Sequence, residues 1–130
     1  MDKLIDKALN KNNIFAVVGA SENPQKYGHK VFKALKAFDY KAYPVNPNSK
    51  EVLGEKTYDT IADLPEKPDV VSVVVPPKVS EEIVKQVNKE KVEKVWFQPG
   101  AESENAINYC KEENIRVVHN KCVLIELSRN

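Results

Sequence analysis

Ile14-Phe15-Ala16-Val17-Val18-Gly19 is a run of five apolar residues closed by a glycine. Its length is that of a strand, and both alternating faces are apolar, so it has to be covered on both sides as strands of a parallel sheet are. The first central strand is placed here. Toward the amino end, Leu4, Ile5, Ala8 and Leu9 fall at helical spacing until Asn10 to Asn13 interrupt them, which makes residues 1–12 a lead-in helix. Toward the carboxyl end, a polar turn from Ala20 to Tyr27 precedes Val31, Phe32, Leu35 and Phe38, one apolar face of a second helix. Asp39 and Tyr40 end it, and Ala42 to Val45 form a second strand that Asn46-Pro47-Asn48 stops.

The same alternation runs to the end of the chain. Asn48 to Tyr58 is polar, contains Gly54 and reads as a loop, and Thr60 to Leu64 has room for one helical turn before Pro65 and Pro68. Val70 to Val75 is a third strand, β-branched and closed by Pro76-Pro77. Ser80 is the expected N-cap of a helix whose inner face is Ile83, Val84 and Val87, with Glu81 and Glu82 placed for its dipole. Val92 to Phe97 gives a fourth strand, Ala106, Ile107 and Cys110 the inner face of another helix, and Ile115 to Val118 a fifth strand. Successive βαβ units with right-handed crossovers predict an α/β fold: a doubly wound, Rossmann-like parallel sheet of five strands, in the order 3-2-1-4-5, with helices on both faces. No linker or repeat divides the chain, so residues 1–130 read as one domain.

Composition narrows the function. Hydrophobic residues at 42% and charged residues at 30% match a folded domain rather than a disordered one. Twenty basic and nineteen acidic residues leave a net charge of +1 with lysines scattered among glutamates, which argues against nucleic acid as the main partner. Nothing in the sequence has the apolar length of a membrane span, and the chain reads as a soluble cytoplasmic protein. Cys110 and Cys122 have no metal or redox spacing and are expected to be reduced, with Cys110 a core residue. His119 has no metal-ligating neighbours in sequence, and no metal site is expected.

In such a sheet the ligand crevice lies outside the carboxyl ends of the strands where the strand order reverses, here between the first and fourth strands. Gly19-Ala20-Ser21 turns sharply toward a helix that Gly28 opens, the makings of a phosphate site, and Lys26 adds a charge, with Lys30 or Lys33 as alternatives. The dinucleotide fingerprint G-x-G-x-x-G is missing, because Ser21 stands at its second glycine. Asn46-Pro47 likewise occupies the place of the acidic residue that holds an NAD ribose. His29 beside Gly28 reads as a surface histidine, Trp96 and Phe97 as core, and Glu81 with Lys85 as a solvated i,i+4 pair.

Five segments, in order, carry a resemblance: Val18-Gly19-Ala20-Ser21 with Lys26-Tyr27-Gly28; Pro44-Val45-Asn46-Pro47; Val73-Val74-Val75-Pro76-Pro77; Trp96-Phe97-Gln98-Pro99-Gly100-Ala101-Glu102-Ser103; and the late Cys122. The chain resembles the small CoA-binding proteins related to the CoA-binding domain of the succinyl-CoA synthetase α subunit. The resemblance implies that Gly19, Ala20, Ser21 and Lys26, with Gly28, line the phosphate region, and that Asn46 and Pro47 approach the nucleotide. It implies Val75, Pro76, Pro77 and Val79 against the adenine, and Gln98, Pro99 and Gly100 toward the pantetheine arm. Neither histidine lies in a recognisable phosphohistidine loop, and no nucleophile, base and orienting partner stand together. The expected function is therefore non-catalytic binding of coenzyme A or an acyl-CoA by a monomer or homodimer. The alternatives are an NAD-binding oxidoreductase, a ligase-type subunit that needs a catalytic protein partner, and a redox sensor in which Cys122 pairs with the CoA thiol.

Overall fold

The β-branched runs form strands and the 3.6-periodic segments form helices, in strict alternation through most of the chain. The computed structural model describes residues 2–129. The strands are β1 (Ile14–Val18), β2 (Lys41–Val45), β3 (Glu51–Val52), β4 (Glu55–Lys56), β5 (Val70–Val73), β6 (Lys94–Phe97) and β7 (Arg116–Val118). The helices are α1 (Asp2–Ala8), α2 (Tyr27–Ala37), α3 (Pro77–Lys89), α4 (Glu104–Glu112) and α5 (Val123–Ser128), with a single 3-10 turn at Ile61–Asp63. Among the described residues no helix is long and apolar enough to cross a membrane.

Five strands make one parallel sheet in the order β2-β1-β5-β6-β7. The fold is the expected α/β, Rossmann-like kind, but the order 3-2-1-4-5 is corrected. The third large strand, β5, lies beside β1 and not outside β2, which makes the order 2-1-3-4-5 of the five. The reason is burial. All four residues of β5 are buried, so it needs neighbours and helices on every side, whereas β2 alternates with an exposed Lys41 and contains Pro44, a residue suited to an edge. The outer edge of β2 is in turn covered by Tyr58, whose NH donates to Pro44 O at 3.0 Å while Asn46 NH donates to Tyr58 O at 2.9 Å. The switch point therefore falls between β1 and β5, not between the first and fourth strands.

Each face of the sheet has its own core. Phe15, Val17, Phe32, Leu35, Trp96 and Leu127 pack together with residues of α1, α2 and α5. Ala16, Val71, Phe97, Ile83, Val84 and Cys110 pack on the other face with α3 and α4. The expected core roles of Trp96, Phe97 and Cys110 hold, and burial pushes the Cys110 thiol up to about 12.

Several local expectations are corrected. The segment read as a loop contains the β3–β4 hairpin, which turns at Leu53 and Gly54. α3 begins at Pro77 with Pro76 as N-cap, three residues before Ser80, since proline at the first helical position gives up no hydrogen bond. Ser80 is instead fully buried, and its hydroxyl donates to Ala101 O at 2.7 Å. Glu82, not Glu81, pairs with Lys85, while Glu81 accepts from the Ser103 hydroxyl at 2.6 Å. His29 is buried rather than on the surface.

Candidate functional site

The carboxyl ends of β1, β2, β5 and β6 surround a cavity of about 750 Å³ that the amino end of α2 and one stripe of α3 complete. Its shape depends on how β1 hands over to α2. Gly19 has φ +98, and a Cβ there would lie 2.0 Å from Val74 O, so only glycine allows the chain to turn against β5. A Cβ on Gly28 would lie 2.0 Å from Gly19 O, so α2 rests directly on the main chain of the turn. The rest of the loop is held by its own polar groups. Ser21 Oγ accepts from Asn23 NH at 3.1 Å and Asn23 Oδ1 from Gln25 NH at 2.9 Å. His29 Nδ1 meets Ser21 O at 2.8 Å, which requires that nitrogen to carry the proton. From β2, Asn46 Nδ2 donates to Ala20 O at 2.7 Å.

The electrostatics of this end are simple. Lys26 is the N-cap of α2 and offers no side-chain cap, and the NH groups of Tyr27 and Gly28 meet no acceptor among the described residues. Unsatisfied first-turn NH groups and the helix dipole together favour an anion. Lys26 is exposed, lines the cavity and makes no ion pair among the described residues. Tyr27 also lines the cavity, and its hydroxyl stands 2.5 Å from Cys122 Sγ. Burial first, and the Cys122 thiol second, hold the Tyr27 phenol above the usual tyrosine value, so it stays neutral at physiological pH.

Most of the residues named from the sequence converge on this cavity. Gly19, Ser21, Lys26 and Gly28 line it from the first loop, and Asn46 and Pro47 from the end of β2. Val75, Pro76 and Val79 line it from the β5–α3 junction, and Pro99 and Gly100 from the end of β6. Three do not. Ala20 is wholly buried behind the loop, and Pro77 faces solvent as the first residue of α3. Gln98 is fully buried: its amide donates to Ser72 Oγ at 3.2 Å and accepts from Val123 NH at 3.0 Å, which ties β5 to β6 and to α5. Cys122 is half-buried behind Tyr27 and does not line the cavity.

Asp59, Glu82, Ile83 and Gln86 line the cavity without having been foreseen. Val79, Glu82, Ile83 and Gln86 fall at i, i+3, i+4 and i+7, so one helical stripe would have led from Val79 to the other three. Asp59 gave no such signal, because it reaches the site by way of the hairpin. Among the described residues no group of three or more His, Cys, Asp or Glu could hold a metal ion.

Residues 13–128 match the family described as a CoA binding domain. The chain belongs to that family. The resemblance read from the strand-end motifs thus holds. The acetate–CoA ligase (ADP-forming) of Methanocaldococcus jannaschii is 33% identical over 116 residues, 83% of this chain. The α subunit of acetate–CoA ligase (ADP-forming) II from Pyrococcus furiosus is 42% identical over 76 residues, 58% of this chain. This CoA-binding domain spans only 16% of the length of either ligase. A hypothetical protein from Pyrococcus horikoshii OT3 superposes with a TM-score of 0.90 at 34% identity, over 98% of this chain and 89% of that one. The domain is thus related both to a segment of much larger ligases and to a protein of nearly its own size.

Proposed function

We propose that this domain binds coenzyme A or an acyl-CoA non-covalently in the cavity at the strand ends and catalyses no reaction by itself. The observation that carries the reading is the uncapped amino end of α2, which opens onto that cavity beside Lys26 in a member of the CoA-binding family. The fit is chemical as well as spatial. A pyrophosphate suits the free NH groups of Tyr27 and Gly28, and Lys26 suits a phosphate. Val75, Pro76 and Val79 form an apolar shelf for the adenine, Pro99 and Gly100 border the path of the pantetheine arm, and about 750 Å³ falls within the range of cofactor sites. Gly19 and Gly28 keep the loop close enough for main-chain contact. A cytoplasmic setting belongs to the same proposal, since both cysteines are free thiols, the state kept by a reducing compartment.

A thermal-shift comparison of CoA, dephospho-CoA, NAD and ATP tests it. A ligand that binds only the folded state stabilises by about 2.7 kcal/mol at a hundred times its Kd, so CoA should raise the melting temperature by several degrees and NAD should not. No shift with saturating CoA overturns the reading, and a shift with NAD alone favours an oxidoreductase.

The 16% coverage of the ligases supports a second reading, in which the domain works as one part of an acyl-CoA ligase with a catalytic partner. That reading expects acyl-CoA synthesis only after a nucleotide-binding ligase subunit is added. Acyl-CoA production by the purified chain alone would defeat both.

A further inference from the structure

In the turn between β1 and α2, two successive peptide groups are held by their carbonyls, each from a different part of the chain. Ala20 O accepts from Asn46 Nδ2 at 2.7 Å, from the end of β2, and Ser21 O accepts from His29 Nδ1–H at 2.8 Å, from α2. No peptide bond among the described residues is cis, so in each of the two the NH points opposite to the C=O. Holding Ala20 O toward Asn46 therefore turns the NH of Ser21 away from β2. Holding Ser21 O toward His29 turns the NH of Glu22 away from α2.

The NH groups of this turn fall into two sets. Those of Gly19, Asn23, Gln25 and Lys26 donate to Val45 O, Ser21 Oγ, Asn23 Oδ1 and Asn23 O. Those of Ser21 and Glu22 meet no acceptor among the described residues, as is also true of Tyr27 and Gly28. Ser21 lines the cavity together with Lys26, Tyr27 and Gly28, and successive free NH groups in a turn make a concavity suited to an anion. His29 does not line the cavity. It is buried in the first turn of α2, where a side chain leans back toward the amino end and so lies under the loop. Without its Nδ1–H the carbonyl of Ser21 loses its partner, and that peptide is free to rotate and set its oxygen against an anion.

We infer that His29 is a positioning residue for the anion: by fixing Ser21 O it aims the NH of Glu22, beside that of Ser21, at the diphosphate of the bound nucleotide. The identity of that anion rests on the CoA reading above. Calorimetric titration of the full chain with CoA, inorganic pyrophosphate and adenosine tests it. His29→Leu should bind CoA and pyrophosphate about tenfold more weakly or worse, and adenosine, which has no phosphate, within about twofold of the parent. His29→Asn, whose Nδ2 takes the place of the ring Nδ1, should bring both anions back to within about threefold. A second measurement needs no variant to fold. Pyrophosphate added to the parent protein should move the NMR amide resonances of Ser21 and Glu22 more than those of Asn23 and Gln25, whose NH groups are already engaged. Anion binding unchanged in His29→Leu, no recovery in His29→Asn, an equal loss for adenosine, or resonances of Ser21 and Glu22 that stay still overturns the inference and leaves the CoA reading standing. Pyrophosphate binding lost with leucine and regained with asparagine, in a chain that does not bind CoA, sinks the CoA reading alone. A parent protein that binds neither anion sinks both.

Discussion

Gly28 shows how one absent side chain sets the loop. Its φ is ordinary for a helix, so alanine would gain up to about 1 kcal/mol of helix propensity there. Against that, a Cβ would sit 2.0 Å from Gly19 O, a main-chain atom that cannot swing aside. Overpacking of this kind costs about 1–3 kcal/mol or more, so the contact outweighs propensity. Gly28→Ala should lower unfolding stability by about 1–2 kcal/mol in urea denaturation. A variant as stable as the parent would show that α2 does not rest on the turn. The sequence pointed to this glycine because it stands where the turn after the first strand meets its helix. Gln98 lies away from the cavity for a reason the sequence does not mark: a polar residue at a strand end looks the same whether it turns outward to a ligand or inward to satisfy the backbone. Here it turns inward, taking up Val123 NH and Ser72 Oγ. His29 misled in the same way, because a titratable residue in a first helical turn gives no sign that a carbonyl, Ser21 O, waits beneath it.

Three helices end alike. After α2, α3 and α4 come Asp39, Lys91 and Asn114, all with positive φ (66, 58 and 61), and each is followed by the residue that leads into a strand. In each case the next NH reaches back to close the helix: Tyr40 to Leu35 O at 3.0 Å, Val92 to Val87 O at 3.0 Å, and Ile115 to Cys110 O at 2.8 Å. This is a Schellman closure, and it buries Tyr40, Val92 and Ile115 against the helix they follow. Aspartate and asparagine tolerate the left-handed region, while lysine has no such compensation and is strained by about 1 kcal/mol. Lys91→Gly should therefore raise stability by about 0.5–1 kcal/mol, read as an increase in the urea midpoint with the slope unchanged. A loss of stability would mean that the stem of Lys91 packs usefully or that glycine's entropy dominates. The elements themselves were legible because their periods, 2 and 3.6, leave marks in short windows. β3 and β4 escaped because strands of two residues have no period, and α5 because its six residues span less than two turns.

At the scale of the whole chain the strand order was the part that local patterns could not supply. Both 3-2-1-4-5 and the observed order satisfy right-handed crossovers, and what separates them is that every residue of β5 is buried while Lys41 of β2 is exposed. That order also sets β1 and β5 at the switch point and brings Gly19 against Val74, so the site follows from the topology. It further makes one sheet serve two cores. Along β6 the side chains alternate, Val95 and Phe97 entering the α3–α4 side and Trp96 the α1–α2–α5 side. Neither side can lose its helices without baring the other strand face to water, so the two cores should unfold together. The chain carries a probe for each: Trp96 is its single tryptophan, and Cys110 a fully buried thiol in the opposite core. In a Cys122→Ser background only Cys110 remains to react, and burial both screens it and disfavours its thiolate until the α4 side opens. Urea transitions followed by tryptophan fluorescence and by Cys110 labelling under fast-closing conditions should share one midpoint. Labelling that rises well before the fluorescence changes would mean that α3 and α4 detach as a separate unit, and that the sheet does not bind its two faces into one cooperative structure.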